Sequence, residues 1–232
     1  AIENASLTCC KQRLFITCVV RLSPEKTPHH FVTLLQKLGG VDFLRCNSLI
    51  PIICGARSVE DYGKKVVDDF QEMMCSSSSQ GDDDAWPCVV IDRHLGPKEL
   101  AAVFSRTAVN VHPCLYDAYG MTLVESAAFG APSIVNNGGK IGAVSLLGEG
   151  KGCIAVNLEQ MLEEANDDNY EETIIDSIRT LSIPVDISQK SESLGKSVTF
   201  RQIAKKARSQ ALQWDEMACC QGLLDVLNGL QM

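Results

Sequence analysis

The stretch VNVHPCLYDAYGMTLVESAAFGAPSIV, Val109 to Val135, decides how the rest of the chain is read. An apolar run at Val109 and Val111 breaks at Pro113, and a carboxylate follows at Asp117. Gly120 opens a short helical pattern that turns Met121, Val124, Ala127 and Ala128 inward and carries Glu125 one turn in; Gly130 and Pro132 close it. The pattern predicts strand, loop, helix, strand. Such a junction leaves its first backbone N–H groups, here those of Gly120, Met121 and Thr122, without carbonyl partners, and the helix dipole adds partial positive charge. Phosphate is the natural guest. Gly120 lets the anion approach the backbone, while Asp117 before the helix and Glu125 inside it flank that position. Carboxylates repel phosphate but accept from hydroxyls, so the ligand implied is a phosphate between two polyols, as in a nucleotide sugar.

Working outward, Arg13 to Val20 is a near-continuous apolar run that fits a parallel strand covered on both faces. It ends in Arg21-Leu22-Ser23-Pro24-Glu25-Lys26, and Thr27-Pro28 then caps a helix with Phe31, Leu34, Leu35 and Leu38 on one face and Gly39-Gly40 as its stop. Arg21 and Lys26 thus fall in a loop at the carboxyl end of the first strand, where open parallel sheets bind ligands. The pair reads either as a diphosphate clamp, a planar fork beside a point charge, or as two solvated surface cations. Further strands are expected at Leu49 to Cys54, where Pro51 is tolerable near the start or at an edge, at Cys88 to Ile91, at Ser133 to Val135 and at Cys153 to Val156. Helices are expected at Val59 to Met74, around Leu100 to Phe104, at Leu158 to Glu164, Tyr170 to Leu181, Phe200 to Leu212 and Trp214 to Leu227.

These alternations predict a doubly wound, mostly parallel α/β domain of the Rossmann-like kind over residues 13–232, behind a linker at 1–12. The absence of G-x-G-x-x-G after the first strand argues against a dinucleotide oxidoreductase. Residues 76–85, SSSSQGDDDA, form a polar, flexible insertion; Asp82 to Asp84 read as a solvated charge run because they lack the ligand spacing of a calcium loop. His112 is either a histidine hydrogen-bonded at the end of the sheet or a catalytic base, and no Ser or Cys nucleophile pattern supports the second. His29 and His30 are expected to face outward.

At 232 residues the chain is long enough for one sizeable domain, and its net charge of -8 argues against nucleic-acid backbones as partners. No apolar run approaches the roughly 20 residues of a membrane span, so a transmembrane segment is not expected. Eleven scattered cysteines without a C-x-x-C pair suit buried, reduced thiols in a cytoplasmic setting. The first residue, Ala1, suggests a portion of a longer protein.

At these residues the sequence resembles the retaining glycosyltransferases of the GT-B fold, family 4 in particular. Their carboxylate, seven residues, then Glu stands here as Asp117 to Glu125, their R-L-x-P-E-K as Arg21 to Lys26, and their glycine pair after the fifth strand as Gly138-Gly139. Val20, Arg93 and Gly142 stand where the family usually has Gly, Gly and an acid. The resemblance implies the carboxyl-terminal, donor-binding half of a GT-B enzyme that moves a hexose from a UDP-, GDP- or ADP-sugar to an unknown acceptor. It implies no cofactor and no metal. Arg21 and Lys26 would meet the diphosphate, Asp117 the transferred sugar and Glu125 the ribose. Gly55, His94, Leu95, Tyr119, Gly120, Met121 and Thr122 would line the donor, with His94 and Leu95 against the base. A partner Rossmann-like domain would precede this one, and the isolated domain would transfer little. Rival readings are a non-catalytic nucleotide-sugar-binding or interaction module on the same fold and another GT-B chemistry, an epimerase or a phosphorylase; the last would need a lysine-bound pyridoxal phosphate.

Overall fold

The computed structural model describes residues 14–76, 86–136, 140–147, 153–158 and 200–211. Strands β1 (Leu14–Val19), β2 (Leu49–Cys54), β3 (Val89–Ile91), β4 (Thr107–His112), β6 (Ser133–Asn136) and β8 (Cys153–Val156) form one sheet in the order β3-β2-β1-β4-β6-β8. Every neighbouring pair in it is parallel. A second, two-stranded sheet pairs β5 (Tyr116–Asp117) with β7 (Lys140–Ile141), also in parallel. The helices are α1 (His29–Lys37), α2 (Gly40–Cys46), α3 (Glu60–Ser76), α4 (Pro97–Phe104), α5 (Met121–Ala128), α6 (Gly142–Leu147) and α7 (Phe200–Ala211). This is the α/β, doubly wound, Rossmann-like arrangement that the apolar strands call for.

Both faces of the sheet are covered, which is why its strands read as apolar runs rather than alternations. Ile16 and Cys18 of β1, Leu49 and Ile53 of β2 and Val109 and Val111 of β4 share a core with Phe31, Leu34 and Leu35 of α1, Leu44 of α2 and Phe70 of α3. On the opposite face, Val19, Ile52 and Cys54 pack with Leu95 and Phe104, while Val135 and Cys153 pack with Leu123 and Ala127 of α5, Leu147 of α6 and Ala207 and Ala211 of α7. Pro51 sits inside β2, but pairing with β3 starts only at Ile52, so the strand is still an edge on that side where its amide lacks a hydrogen.

The strand order reverses between β1 and β4. Chain leaving β1 turns to one face and chain leaving β4 to the other, which opens a crevice at their carboxyl ends. A polar chain crosses the interior beneath that crevice. Thr17 Oγ1 donates to Asn110 Oδ1 (3.1 Å), Asn110 Nδ2 donates to Ser133 Oγ (3.2 Å), Ser133 and Ser126 share a hydrogen bond of 3.1 Å, and Ser126 Oγ donates to the Leu123 carbonyl (3.0 Å). With Ser126 donating to Leu123, Ser133 must donate to Ser126, and every hydroxyl proton in the chain has one acceptor. All four side chains are buried. The relay ties β1, β4 and β6 to the first turns of α5.

Several expectations change. Gly39-Gly40 ends α1 but also begins α2: Gly39 adopts a left-handed φ of 102°, and Val41, Phe43 and Leu44 then join the core. Ser76, expected in the polar insertion, is the last residue of α3; residues 77–85 lie outside the described residues. Met121 is 47% exposed rather than inward, because at the first position of α5 it lies at the mouth of the crevice while Leu123 takes the inward place. His29 and His30 are half-buried, not surface groups: His29 Nδ1 lies 2.6 Å from the Tyr62 hydroxyl, and burial pushes the His30 imidazole down to about 4. The linker at 1–12, the run Asp82 to Asp84, the Gly138-Gly139 pair, and the helices at Tyr170 to Leu181 and Trp214 to Leu227 lie outside the described residues. Among the described residues, no helix is long and apolar enough to cross a membrane.

Asn110→Ala should remove the middle of the relay, leaving two buried hydroxyls short of a partner beside a small cavity. We expect a loss of about 2–4 kcal/mol in urea unfolding, whereas Ser105→Ala on the exposed end of α4 should change stability by under about 0.5 kcal/mol.

Candidate functional site

The loops that follow β1 and β4 meet over the crevice. After β1 the chain forms a single 3-10 turn, Pro24–Lys26, which Thr27 ends with a left-handed backbone (φ 46°), and the Lys26 side chain reaches Asp117. Three contacts fasten this turn to the loop after β4. Thr27 Oγ1 donates to the Pro113 carbonyl (3.0 Å), Cys114 Sγ donates to the Lys26 carbonyl (3.4 Å), and Lys26 Nζ donates to Asp117 Oδ2 at 2.8 Å. The Pro113 carbonyl also accepts from Asn136 Nδ2 (3.3 Å), and Asn136 Oδ1 accepts from the Leu158 amide (3.2 Å), which brings β6 and the end of β8 into the same framework.

Asp117 is the hub. Its Oδ1 accepts from the amides of Gly120 (2.9 Å) and Tyr119 (3.3 Å), so it caps the start of α5. Gly120 fits that cap because its left-handed backbone (φ 63°) reverses the chain and because an added Cβ would come within 3.0 Å of Ile141 and 3.2 Å of Leu123. The Gly120 amide is therefore already paired, a correction to the expectation of three open N–H groups; those of Met121 and Thr122 begin the helix and have no acceptor within it. His112 lies behind the carboxylate, with Nε2 3.5 Å from Asp117 Oδ2 and Nδ1 3.5 Å from Thr122 Oγ1. At that distance Nε2 touches the carboxylate electrostatically without a well-formed hydrogen bond, and it has no other partner. Interaction with His112, then with Lys26 and the Gly120 amide, holds the Asp117 carboxyl far below the ordinary carboxylate range.

The remaining expected residues are distributed around this hub. Arg21 is exposed and its guanidinium lies 3.4 Å from Glu25, so it stands at the rim and does not join the Lys26–Asp117 cluster. Glu125 is half-buried one turn into α5; burial raises its carboxyl, opposed by the His94 imidazole across the crevice. His94 is exposed, whereas Leu95 beside it is buried in the core against Val19 and Ile52, so only its main chain remains for a ligand. Arg93, standing where a glycine was expected, forks onto Glu99 at 3.1 and 2.6 Å and fixes that loop. With the Gly96 amide as a further donor, Arg93 pulls the Glu99 carboxyl down to about 2. Gly55 closes β2 against β1: a Cβ there would meet the Val20 carbonyl oxygen at 1.7 Å, so the end of one strand requires glycine for the other to pass. Tyr119 is 70% exposed, with its ring in solvent above the hub.

Thr27 was expected to cap α1, but Pro28 takes the N-cap position without a side-chain bond and Thr27 ties to Pro113 instead; Cys114, Asn136 and Arg57 were not expected at the site. Arg57 binds Glu60 (2.7 Å) and Asp92 (2.6 Å), which joins the loops after β2 and β3. None of the four stands in a catalytic motif, and the only signal for the first three was their closeness to Pro28, Pro113 and the strand ends.

No family model matches the sequence, and no curated protein does either. Solved structures do match in fold. An alpha,alpha-trehalose-phosphate synthase (UDP-forming) from Burkholderia vietnamiensis is 14% identical with a TM-score of 0.63, over 95% of this chain and 46% of that one. The trehalose-6-phosphate phosphatase N-terminal domain of Candida albicans gives 14% and 0.63, over 94% and 42%. A trehalose-6-phosphate structure from E. coli, bound with UDP-2-fluoro glucose, gives 13% and 0.61, over 92% and 43%. The chain thus spans less than half the length of each, and the shared feature is the Rossmann-like fold of a GT-B half.

Because the Asp117 carboxyl is held down in the folded chain, the stability it contributes is complete above the unfolded value near pH 4 and fades as pH falls below it. Asp117→Asn should therefore be less stable than the parent by about 1–3 kcal/mol near neutrality, and the gap between the two melting temperatures should narrow progressively as pH falls from about 4 towards 1. Parallel melting curves at every pH would show that Asp117 carries no such linkage.

Proposed function

We propose that the chain is the donor-binding half of a retaining hexosyltransferase that uses a nucleotide-diphosphate sugar. The observation that carries this reading is the 2.8 Å contact between Lys26 and Asp117, residues 91 apart in sequence that the switch point of the sheet brings together at the start of α5. A diphosphate lying along that helix start would find the Met121 and Thr122 amides, the Lys26 ammonium and, from the rim, Arg21. The hydroxyls of the transferred sugar and of the ribose would find Asp117 and Glu125, and the base would lie towards His94 and the Leu95 main chain. The UDP-2-fluoro glucose of the E. coli structure supports a donor of this class on this fold.

The chemistry proposed is electrostatic. Fixed donors stabilise the charge that grows on the departing diphosphate, and the leaving phosphate accepts the acceptor's proton, so no protein nucleophile is assigned. Transfer needs a second Rossmann-like domain to hold the acceptor. A cytoplasmic enzyme that transfers without a metal cofactor completes the proposal.

Titrating the 232-residue chain with UDP-, GDP- and ADP-glucose should give saturable binding to one of them, followed by calorimetry. Lys26→Ala should weaken that binding by about 10–100-fold, the worth of one charge-assisted contact, with the fold intact by circular dichroism. Saturable binding that survives Lys26→Ala unchanged would remove the clamp, and no binding of any of the three would favour a degenerate module.

A further inference from the structure

His112, Cys114 and Asp117 bring an imidazole nitrogen, a thiol sulfur and a carboxylate oxygen together, all within 4.8 Å of one another. They arise from a single H-x-C-x-x-D segment at the end of β4, with Pro113 between the first two, just past the strand. Two of the three side chains are enclosed: Cys114 is fully buried, and the His112 side chain is 2% exposed. His112 Nε2 is a buried polar atom that points at Asp117 Oδ2 and has no hydrogen-bond partner. A buried imidazole nitrogen that faces a carboxylate at 3.5 Å, beyond a well-formed hydrogen bond, is incompletely satisfied by the polar groups around it. Its other nitrogen faces Thr122 Oγ1 at 3.5 Å, the placement that steadies a ligating ring.

We propose that His112, Cys114 and Asp117 form a binding site for one zinc-class divalent ion, which replaces the Lys26 ammonium at the Asp117 carboxylate. Nitrogen, sulfur and oxygen donors suit a borderline-soft ion that accepts four-coordinate geometry and disfavour calcium or magnesium, which seek oxygen alone. As the ion enters, the Cys114 thiol gives its proton to solvent, its sulfur leaves the Lys26 carbonyl and bonds to the metal, and His112 Nε2 supplies its lone pair. The ammonium, now 2.8 Å from Asp117 Oδ2, is repelled and withdraws. Ammonium and metal are alternatives at the same oxygen, so the ion would oppose any ligand that relies on the Lys26–Asp117 pair. The site does not depend on the sugar-nucleotide reading, because it uses only the described cluster.

Cobalt reports on this geometry. The full chain, freed of metal and kept reduced with a phosphine, should develop a saturable thiolate-to-cobalt charge-transfer band at one ion per chain, reversed by zinc. Since the chain has eleven cysteines, the assignment rests on variants. Cys114→Ser should abolish the band, and His112→Gln should weaken cobalt binding by at least about tenfold. Lys26→Met removes a unit charge about 4 Å from the ion, keeps most of the side-chain volume and should tighten binding by about tenfold or more. No band in the parent, a band that persists in Cys114→Ser, or weaker binding in Lys26→Met would each overturn the site. Because the readout is cobalt absorbance, its failure leaves the nucleotide-sugar titration untouched.

Discussion

The ion pair between Lys26 and Asp117 is the constraint on which the site depends. Their side chains are 15% and 22% exposed, so neither charge is well hydrated, and each would be costly to leave alone. The pair is possible only because parallel strands β1 and β4 are adjacent and end at the same height. It is useful only because Asp117 spends its other oxygen on the Gly120 and Tyr119 amides. One carboxylate thus registers a loop against a helix, and the loops after β1 and β4 behave as one unit.

Beneath that unit, the relay from Thr17 through Asn110, Ser133 and Ser126 to the Leu123 carbonyl fixes α5 from the side of the sheet. Apolar packing of Leu123 and Ala127 gives the helix its depth but leaves its rotation and height loosely defined, because apolar contacts are not directional. The hydrogen-bonded serines supply the missing direction. A helix start held at one height and one rotation needs both.

The fold was legible in the sequence for a physical reason. Strands covered on both faces must be apolar throughout, and β2 and β8 stood out at Leu49 to Cys54 and Cys153 to Val156 with no ambiguity of period. Short elements set by backbone geometry were not legible. The β5–β7 pair has two residues on each side, and Gly39-Gly40 reads equally well as the end of one helix or the hinge between two. Around the crevice, Lys26, Asp117 and Gly120 come together as their places after β1 and β4 implied, because parallel neighbouring strands deliver their following loops to the same edge. Met121 was misread because helical periodicity is weakest in the first turn, where a side chain has no preceding turn to cover. Leu95 and Arg93 show the complementary failure: a loop residue's side chain can belong to the core or to its own loop, and only the fold decides.

An arginine at position 26 would meet Asp117 differently from the lysine found there. A guanidinium facing Asp117 would form a planar, two-point fork and use most of its donors in one plane. An ammonium has three donors about a single nitrogen, and Asp117 Oδ2 takes one of them. The others remain available to an anion at the helix start, so such a ligand would share Lys26 with Asp117 rather than break the pair. Asp117 would keep its hold on the Gly120 amide throughout, and α5 would not have to move. A site that keeps its charges paired when empty, yet has donors left when filled, avoids the desolvation penalty of a bare cation and the reorganisation penalty of a buried salt bridge that must open.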